Sequence, residues 1–245
     1  MLETDIVNET IKHVAETSDQ FTPLMEQGIM TYPIPFFGNL SRARVVTMGL
    51  NPSNKEFTAN RGWFADMSPD VIAERLTSYF ESTTLLPHPW FKRWSEALTH
   101  INASYESNAV HLDLSPRATY PVSHFTSKED RLLFLKMLHK DAVIWIRAME
   151  AIADQIEIVL AAGSATKKYY INEFIDVELE KCKVVLKGNR KRGKGPGQTA
   201  FHTLMLPSGR QIPLFFCSTG PSNGDVLVEA IRKNASEINA KRRVT

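Results

Sequence analysis

Asn51 is the residue of this chain best placed to do chemistry, because it follows an apolar run within Gly49-Leu50-Asn51-Pro52-Ser53. A carboxamide takes up no proton near neutral pH, so it is no general base, but its carbonyl oxygen can hold and orient a water. Gly49 lets other groups approach the backbone closely, and Pro52 stiffens the loop behind Asn51. Read alone, Asn-Pro-Ser makes a turn more readily than a site. Other chemically able residues stand at comparable places. Asp113 closes the apolar stretch before Ser115-Pro116. Ser164, after Gly163, opens helical text containing Lys167 and Lys168, which makes either an ordinary cap or an anion site. Arg190, Lys191, Arg192 and Lys194 lie among glycines, in a loop that is either a solvated tip or an arm that touches phosphate.

Positioning these residues requires strands that end where they stand. The apolar positions Val45, Val46, Met48 and Leu50 predict a buried strand closed by the Asn-Pro loop. Residues 109–114 predict a second strand, 156–162 a third and 181–187 another. Thr199–Leu206 and Gln211–Cys217 flank Pro207-Ser208-Gly209, a hairpin signal. Helices are expected over 5–16, packed on the outside, over 70–80, 89–101 and 225–238, and from Ser127, with its capping pattern, to Ala153. Trp90, Trp94, Leu98 and Ile101 read as a core stripe. Breaks at Pro23, Gly28, Pro33, Pro35 and Gly38 make 22–40 an approach loop, and the KRRVT tail is expected to fray. The alternation predicts an α/β fold, a three-layer α/β/α sandwich with a mainly parallel central sheet of about four strands plus a β-hairpin. Loops after Leu50, Leu114, Ala162 and Cys217 should then gather on one edge, where such folds grip ligands.

With 43% hydrophobic and 23% charged positions, the 245 residues can bury one core. A single domain over 1–245 is expected, with 1–40 as helix and approach loop and 188–197 as the basic loop. A net charge of +2 argues against a polycationic wrapper of nucleic acid and leaves room for a local basic patch. Cys182 and Cys217 form no CxxC pair and suit a reducing compartment. The seven histidines lack ligand spacing, so no metal site is expected. Polar N-terminal text without a long apolar run predicts a soluble, cytoplasmic monomer with no membrane partner. A nucleotide enzyme using Ser164 and Lys167 would be expected to carry GxxxxGK[ST], which the chain lacks.

In their order, these loops resemble those of the uracil-DNA glycosylase superfamily. Gly49-Leu50-Asn51-Pro52 is similar to the Gly-x-Asn-Pro of its mismatch-specific and single-strand-selective branches. Phe64 follows at about the distance of the family's aromatic that stacks on the extruded base, and Asp113 falls where several branches read the base with Asn. Residues 159–168 look like the third strand and its Gly-Ser turn. Pro221-Ser222 matches the core of the last motif, a loop that presses on the DNA backbone. The resemblance runs from Pro35 to Ile238. It implies a DNA glycosylase of base excision, free of metal and cofactor, that flips a pyrimidine between Asn51, Phe64 and a pocket of Gly49, Leu50, Pro52, Ser53 and Asp113. DNA would lie on Ser164, Lys167, Lys168, the basic loop and Gly220, Pro221, Ser222 and Asn223.

The departures define what differs. Gly220 replaces the His or Asn that stabilises the departing base, so that help must come from backbone N–H groups, from a relocated His202 or Ser222, or from nowhere. Asn223 and Gly224 replace a bulky wedge, leaving Arg190 to Lys194 to fill the gap in the duplex. An ionised Asp113 only accepts hydrogen bonds, which suits the exocyclic amino group of cytosine and not uracil O4. A modified cytosine, as in altered phage DNA, is therefore expected, unless Asp113 is protonated or turned aside into a cap or salt bridge. A catalytically silent nucleic-acid-binding module is the alternative.

Overall fold

The computed structural model describes residues 2–24, 33–52, 67–81, 87–120, 124–163 and 198–242, with 183–185 described by their backbone alone. Its centre is a sheet of β1 (Val45–Gly49), β2 (Ala109–Asp113), β3 (Ile158–Ala162), β4 (Lys183–Val185), β5 (Thr199–Met205) and β6 (Gln211–Cys217). The strand order is β2-β1-β3-β6-β5-β4. Neighbours from β2 to β6 run parallel, while β5 and β4 continue the sheet antiparallel. The expected parallel sheet is present with one refinement: β6, an arm of the hairpin, is itself the fourth parallel strand. β1, β2 and β3 are buried at every position, as strands covered on both faces must be.

The helices are α1 (Leu2–Phe21), α2 (Pro69–Thr77), α3 (Pro89–Thr99), α4 (Lys128–Ile152) and α5 (Gly224–Arg242). α3 packs on α5, and α1 packs on α2 and α4, giving a helix layer on each side of the sheet. Local chemistry sets their starts. Ser127 accepts from the Asp130 N–H at 2.9 Å, and Ser68 and His88 cap α2 and α3 ahead of prolines at the first helical position. None of the described helices is long and apolar enough to cross a membrane.

Two expectations about the ends need correction. α1 is longer than 5–16 and is built into the core, with Val7, Thr10, Val14, Thr17 and Phe21 buried. Its inner face reads as polar because threonines line it, yet Thr10 Oγ1 donates to Ile6 O at 2.6 Å and Thr17 Oγ1 to His13 O at 2.8 Å. With their hydroxyls satisfied by the preceding turn, these side chains pack like apolar ones. At the other terminus, the first two residues of the tail, Lys241 and Arg242, are helical instead of frayed, and 243–245 lie outside the described residues. Arg242 Nε pairs with Glu157 Oε2 at 2.8 Å, and Arg242 Nη1 donates to Ile101 O. The approach loop also has a structural task, since Phe37 exchanges backbone hydrogen bonds of 2.9 Å with His111 and so covers the outer edge of β2.

Candidate functional site

All four parallel strands end on the same edge, so the loops after Leu50, Leu114, Ala162 and Cys217 do gather there. β1 lies between β2 and β3, and the chain travels outward to β2 before returning to β3. The switch of direction therefore falls at the carboxyl ends of β1 and β3, where open α/β sheets leave a crevice.

Asn51 is held there by its own amide. Its Nδ2 donates to Pro52 O at 2.9 Å, Arg117 O at 3.1 Å and Thr119 Oγ1 at 2.8 Å. Two of these acceptors are carbonyls and the Thr119 hydroxyl is already committed as donor to Tyr120 O at 2.7 Å, so the amide cannot be reversed without facing oxygen with oxygen. Oδ1 is thereby left as the outward acceptor, and no described residue donates to it. The backbone reinforces the arrangement through Leu114 N–H to Gly49 O (3.1 Å), Ser115 N–H to Leu50 O (2.9 Å) and Thr119 N–H to Pro52 O (3.2 Å).

The partner loop, 114–119, is itself anchored to two helices. Asp141 of α4, fully buried, accepts from Arg117 Nε at 2.9 Å and Ser115 Oγ at 2.6 Å, and pairs with His13 of α1 at 2.8 Å. Arg117 also donates to Thr17 Oγ1 and lies over the Phe21 ring at 5.2 Å. Sequence reasoning missed this network, because nothing local marks Arg117 and Asp141 as partners across 24 residues.

Asp113 stands beside Asn51's strand rather than in a cap. It is the register partner of Gly49, and its Oδ1 lies only 2.0 Å from where a Cβ on Gly49 would sit, so Gly49 is needed for the close approach. His111, two residues earlier on the same face, brings Nε2 to 3.3 Å from that oxygen. Behind it, His111 Nδ1 lies 2.8 Å from Thr47 Oγ1, which lies 2.7 Å from Tyr105 Oη. Phe37, Trp90 and Phe91 ring His111, with centroids at 6.0, 4.9 and 5.2 Å. Trp94, Leu98 and Ile101 are the expected core stripe, whereas Trp90 is only partly buried and packs edge-on against His111.

Burial holds the Tyr105 phenol well above the usual tyrosine value of 10.0, with the Asp113 and Glu106 charges adding to it and the Thr47 hydrogen bond partly offsetting it. The unfolded chain releases this proton near its ordinary value and the folded chain does not, so the contribution to stability is complete below about pH 10 and falls as the pH rises further. Tyr105→Phe should flatten the alkaline decline of stability in urea unfolding between about pH 9 and about pH 11. An equal decline in both chains would contradict this.

At the far side of the edge, Gly163 adopts φ +112°, a conformation that favours glycine, and its N–H donates to Cys217 O at 2.9 Å. A Cβ on Gly220 would lie 3.3 Å from Gly163 Cα, so the loops after β3 and β6 touch. Pro221–Asn223 form one turn of 3-10 helix leading into α5, with Ser222 and Asn223 exposed. Arg93 of α3 crosses this helix start and pairs with Asp225 at 3.0 Å. His202 is misplaced for assisting a departing group at this edge. It pairs with Leu214, three strand residues from the edge pair Thr199 and Cys217, about 10 Å away. Ser53, Phe64, Ser164, Lys167, Lys168, Arg190, Lys191, Arg192 and Lys194 lie outside the described residues.

No protein-family model matches the chain, and no curated protein matches it.

Proposed function

We propose that the chain is a monofunctional DNA glycosylase that hydrolyses the N-glycosidic bond of a non-standard pyrimidine swung out of DNA. The observation that supports this best is the Asn51 amide, tied by its nitrogen to Pro52 O, Arg117 O and Thr119 Oγ1 at the strand switch, with its oxygen left as an acceptor. Breaking the bond builds positive charge on the sugar and negative charge on the base, and water then adds to the sugar. Asn51 Oδ1 orients that water without deprotonating it, which makes for a slow enzyme suited to rare targets. Phe64 stacks on the extruded base and repays part of the cost of unstacking, at roughly 1–3 kcal/mol. Ser164, Lys167, Lys168 and Pro221 to Asn223 contact the backbone, and Arg190 to Lys194 fill the gap in the duplex. The base is uracil or, from Asp113, a modified cytosine. The role is base excision, extending to defence against phage with altered bases, performed by a cytoplasmic monomer.

Gly220 favours a second reading, a catalytically silent nucleic-acid-binding module. Its contact with Gly163 leaves little room for the leaving-group side chain that the superfamily it resembles places there.

Oligonucleotides carrying uracil, hydroxymethylcytosine or glucosylated hydroxymethylcytosine, single-stranded and paired, separate the two. Alkali-labile sites formed by the unaltered chain and not by Asn51→Ala are expected. Binding without product on every base would sink the enzyme and leave the silent module. In the same binding assay, Arg190→Glu with Lys191→Glu should weaken affinity and flatten its salt dependence by about one unit of slope per lost phosphate contact. An unaltered slope would return that loop to solvent.

A further inference from the structure

The carboxylate of Asp113 ends a buried chain of hydrogen-bonding groups that runs through His111 and Thr47 to Tyr105, and all four residues are buried. The directions along this chain can be assigned by counting protons. Thr47 has one hydroxyl proton and three acceptors within reach, Tyr105 Oη at 2.7 Å, His111 Nδ1 at 2.8 Å and Val110 O at 3.4 Å. Tyr105 has a proton of its own to give and no other acceptor among the described residues, so the Thr47 proton goes to the shorter of the remaining two, His111 Nδ1. Tyr105 then donates to Thr47 Oγ1 across 2.7 Å. With Nδ1 accepting, the neutral imidazole carries its proton on Nε2, and that N–H points at Asp113 Oδ1 across 3.3 Å. Every donor is used once, and Asp113 receives a proton bond instead of giving one. The opposite neutral tautomer sends the Thr47 proton to the longer contact and requires a protonated Asp113, whereas an imidazolium would donate from both nitrogens and leave Asp113 an acceptor still.

We propose that Tyr105, Thr47 and His111 are positioning residues that hold Asp113 as a hydrogen-bond acceptor, so that the site selects a pyrimidine bearing an exocyclic amino group over one presenting a carbonyl there. The substrate half of this inference rests on the glycosylase reading. Among the described residues only His111 donates to the carboxylate, whose side chain keeps 5% exposure at the strand end. The carboxylate has acceptor capacity beyond the His111 bond, and the N4 amino group of a cytosine-type base supplies a donor to it. Uracil-type bases would set O4 against it, acceptor to acceptor. Gly49 is what lets the carboxylate lie across the end of β1.

Two measurements test the two halves. Nitrogen-15 NMR of histidine-labelled protein should show the His111 ring neutral, with its proton on Nε2, in the unaltered chain. Thr47→Val, which removes the donor to Nδ1, should shift the tautomer, and Thr47→Ser should restore it. A proton on Nδ1 in the unaltered chain would overturn the assignment. Paired oligonucleotides carrying hydroxymethylcytosine or hydroxymethyluracil share the same 5-substituent, and the unaltered chain should process the first about 10-fold faster or more. Thr47→Val should reduce that ratio several-fold with Thr47→Ser recovering it, and Asp113→Asn should reverse it. Product with a ratio that Thr47→Val and Asp113→Asn leave unchanged would overturn the specificity role while the glycosylase reading stands. No product on any base would overturn the reading and the substrate class together, with the tautomer experiment still deciding the hydrogen-bond chain.

Discussion

On the glycosylase reading, Asn51→Ala is expected to lower single-turnover base release by about 100-fold or more, because the water would lose the carbonyl oxygen proposed to orient it. Folding should suffer far less. The amide makes three contacts through Nδ2 to groups at a partly exposed loop, and losing them costs about 1–3 kcal/mol in urea unfolding. Asn51→Asp is the sharper variant. If basicity alone limited the reaction, a carboxylate would accelerate it by activating the water. In this fold, however, the side chain faces Pro52 O and Arg117 O, which only accept, so a carboxylate is repelled from the position the amide holds. The expected result at neutral pH is activity below that of the unaltered chain, with a loss of stability at least equal to that of Asn51→Ala. Faster release by Asn51→Asp would show that the hydrogen bonds of Nδ2 do not fix the geometry that matters.

The parts of this arrangement that sequence could reveal are those encoded by neighbours along the chain. Val45 to Met48 and Ala109 to Leu112 are apolar but for Thr47 and His111 because both faces of a central parallel strand are covered, and the residues that stop each run, Asn51-Pro52 and Ser115-Pro116, mark the edge. Asp113 was visible for the same reason. Its hydrogen-bonding state was not, because that depends on His111 one pleat earlier and on Thr47 and Tyr105 from other parts of the chain. The period-two spacing of His111 and Asp113 was the available signal, since it puts both on one face of the strand. α1 misled in the opposite sense. Threonines that bond back to the preceding turn occupy its buried face, so its pattern understated both its length and its burial. Trp90 shares helical spacing with Trp94, yet it is only partly buried and packs edge-on against His111.

The pair Arg117 and Asp141 should have the largest effect on folding of any described side chains, and the expected pattern identifies what it does. Both are buried to within 1%. Arg117→Met leaves the Asp141 carboxylate with His13 and Ser115 and no guanidinium, and Asp141→Leu strands the guanidinium; each should cost about 3–5 kcal/mol. That is a large share of the roughly 5–15 kcal/mol by which domains are stable, so expression should fall as well. The double variant Arg117→Met with Asp141→Leu removes both charges and keeps similar volume, and it should recover most of the loss. A double-mutant cycle in urea measures the coupling. Recovery of stability need not bring recovery of activity. Arg117 O and Thr119 Oγ1 hold the Asn51 amide, and the ion pair ties their loop to α1 and α4, so a refolded double variant with a freer loop should bind DNA and release base slowly. Full activity in the double variant would mean that the backbone bonds from Leu114, Ser115 and Thr119 suffice to position Asn51. Additive losses in the cycle would mean that the two residues stabilise the fold independently and that the contact at 2.9 Å contributes nothing of its own.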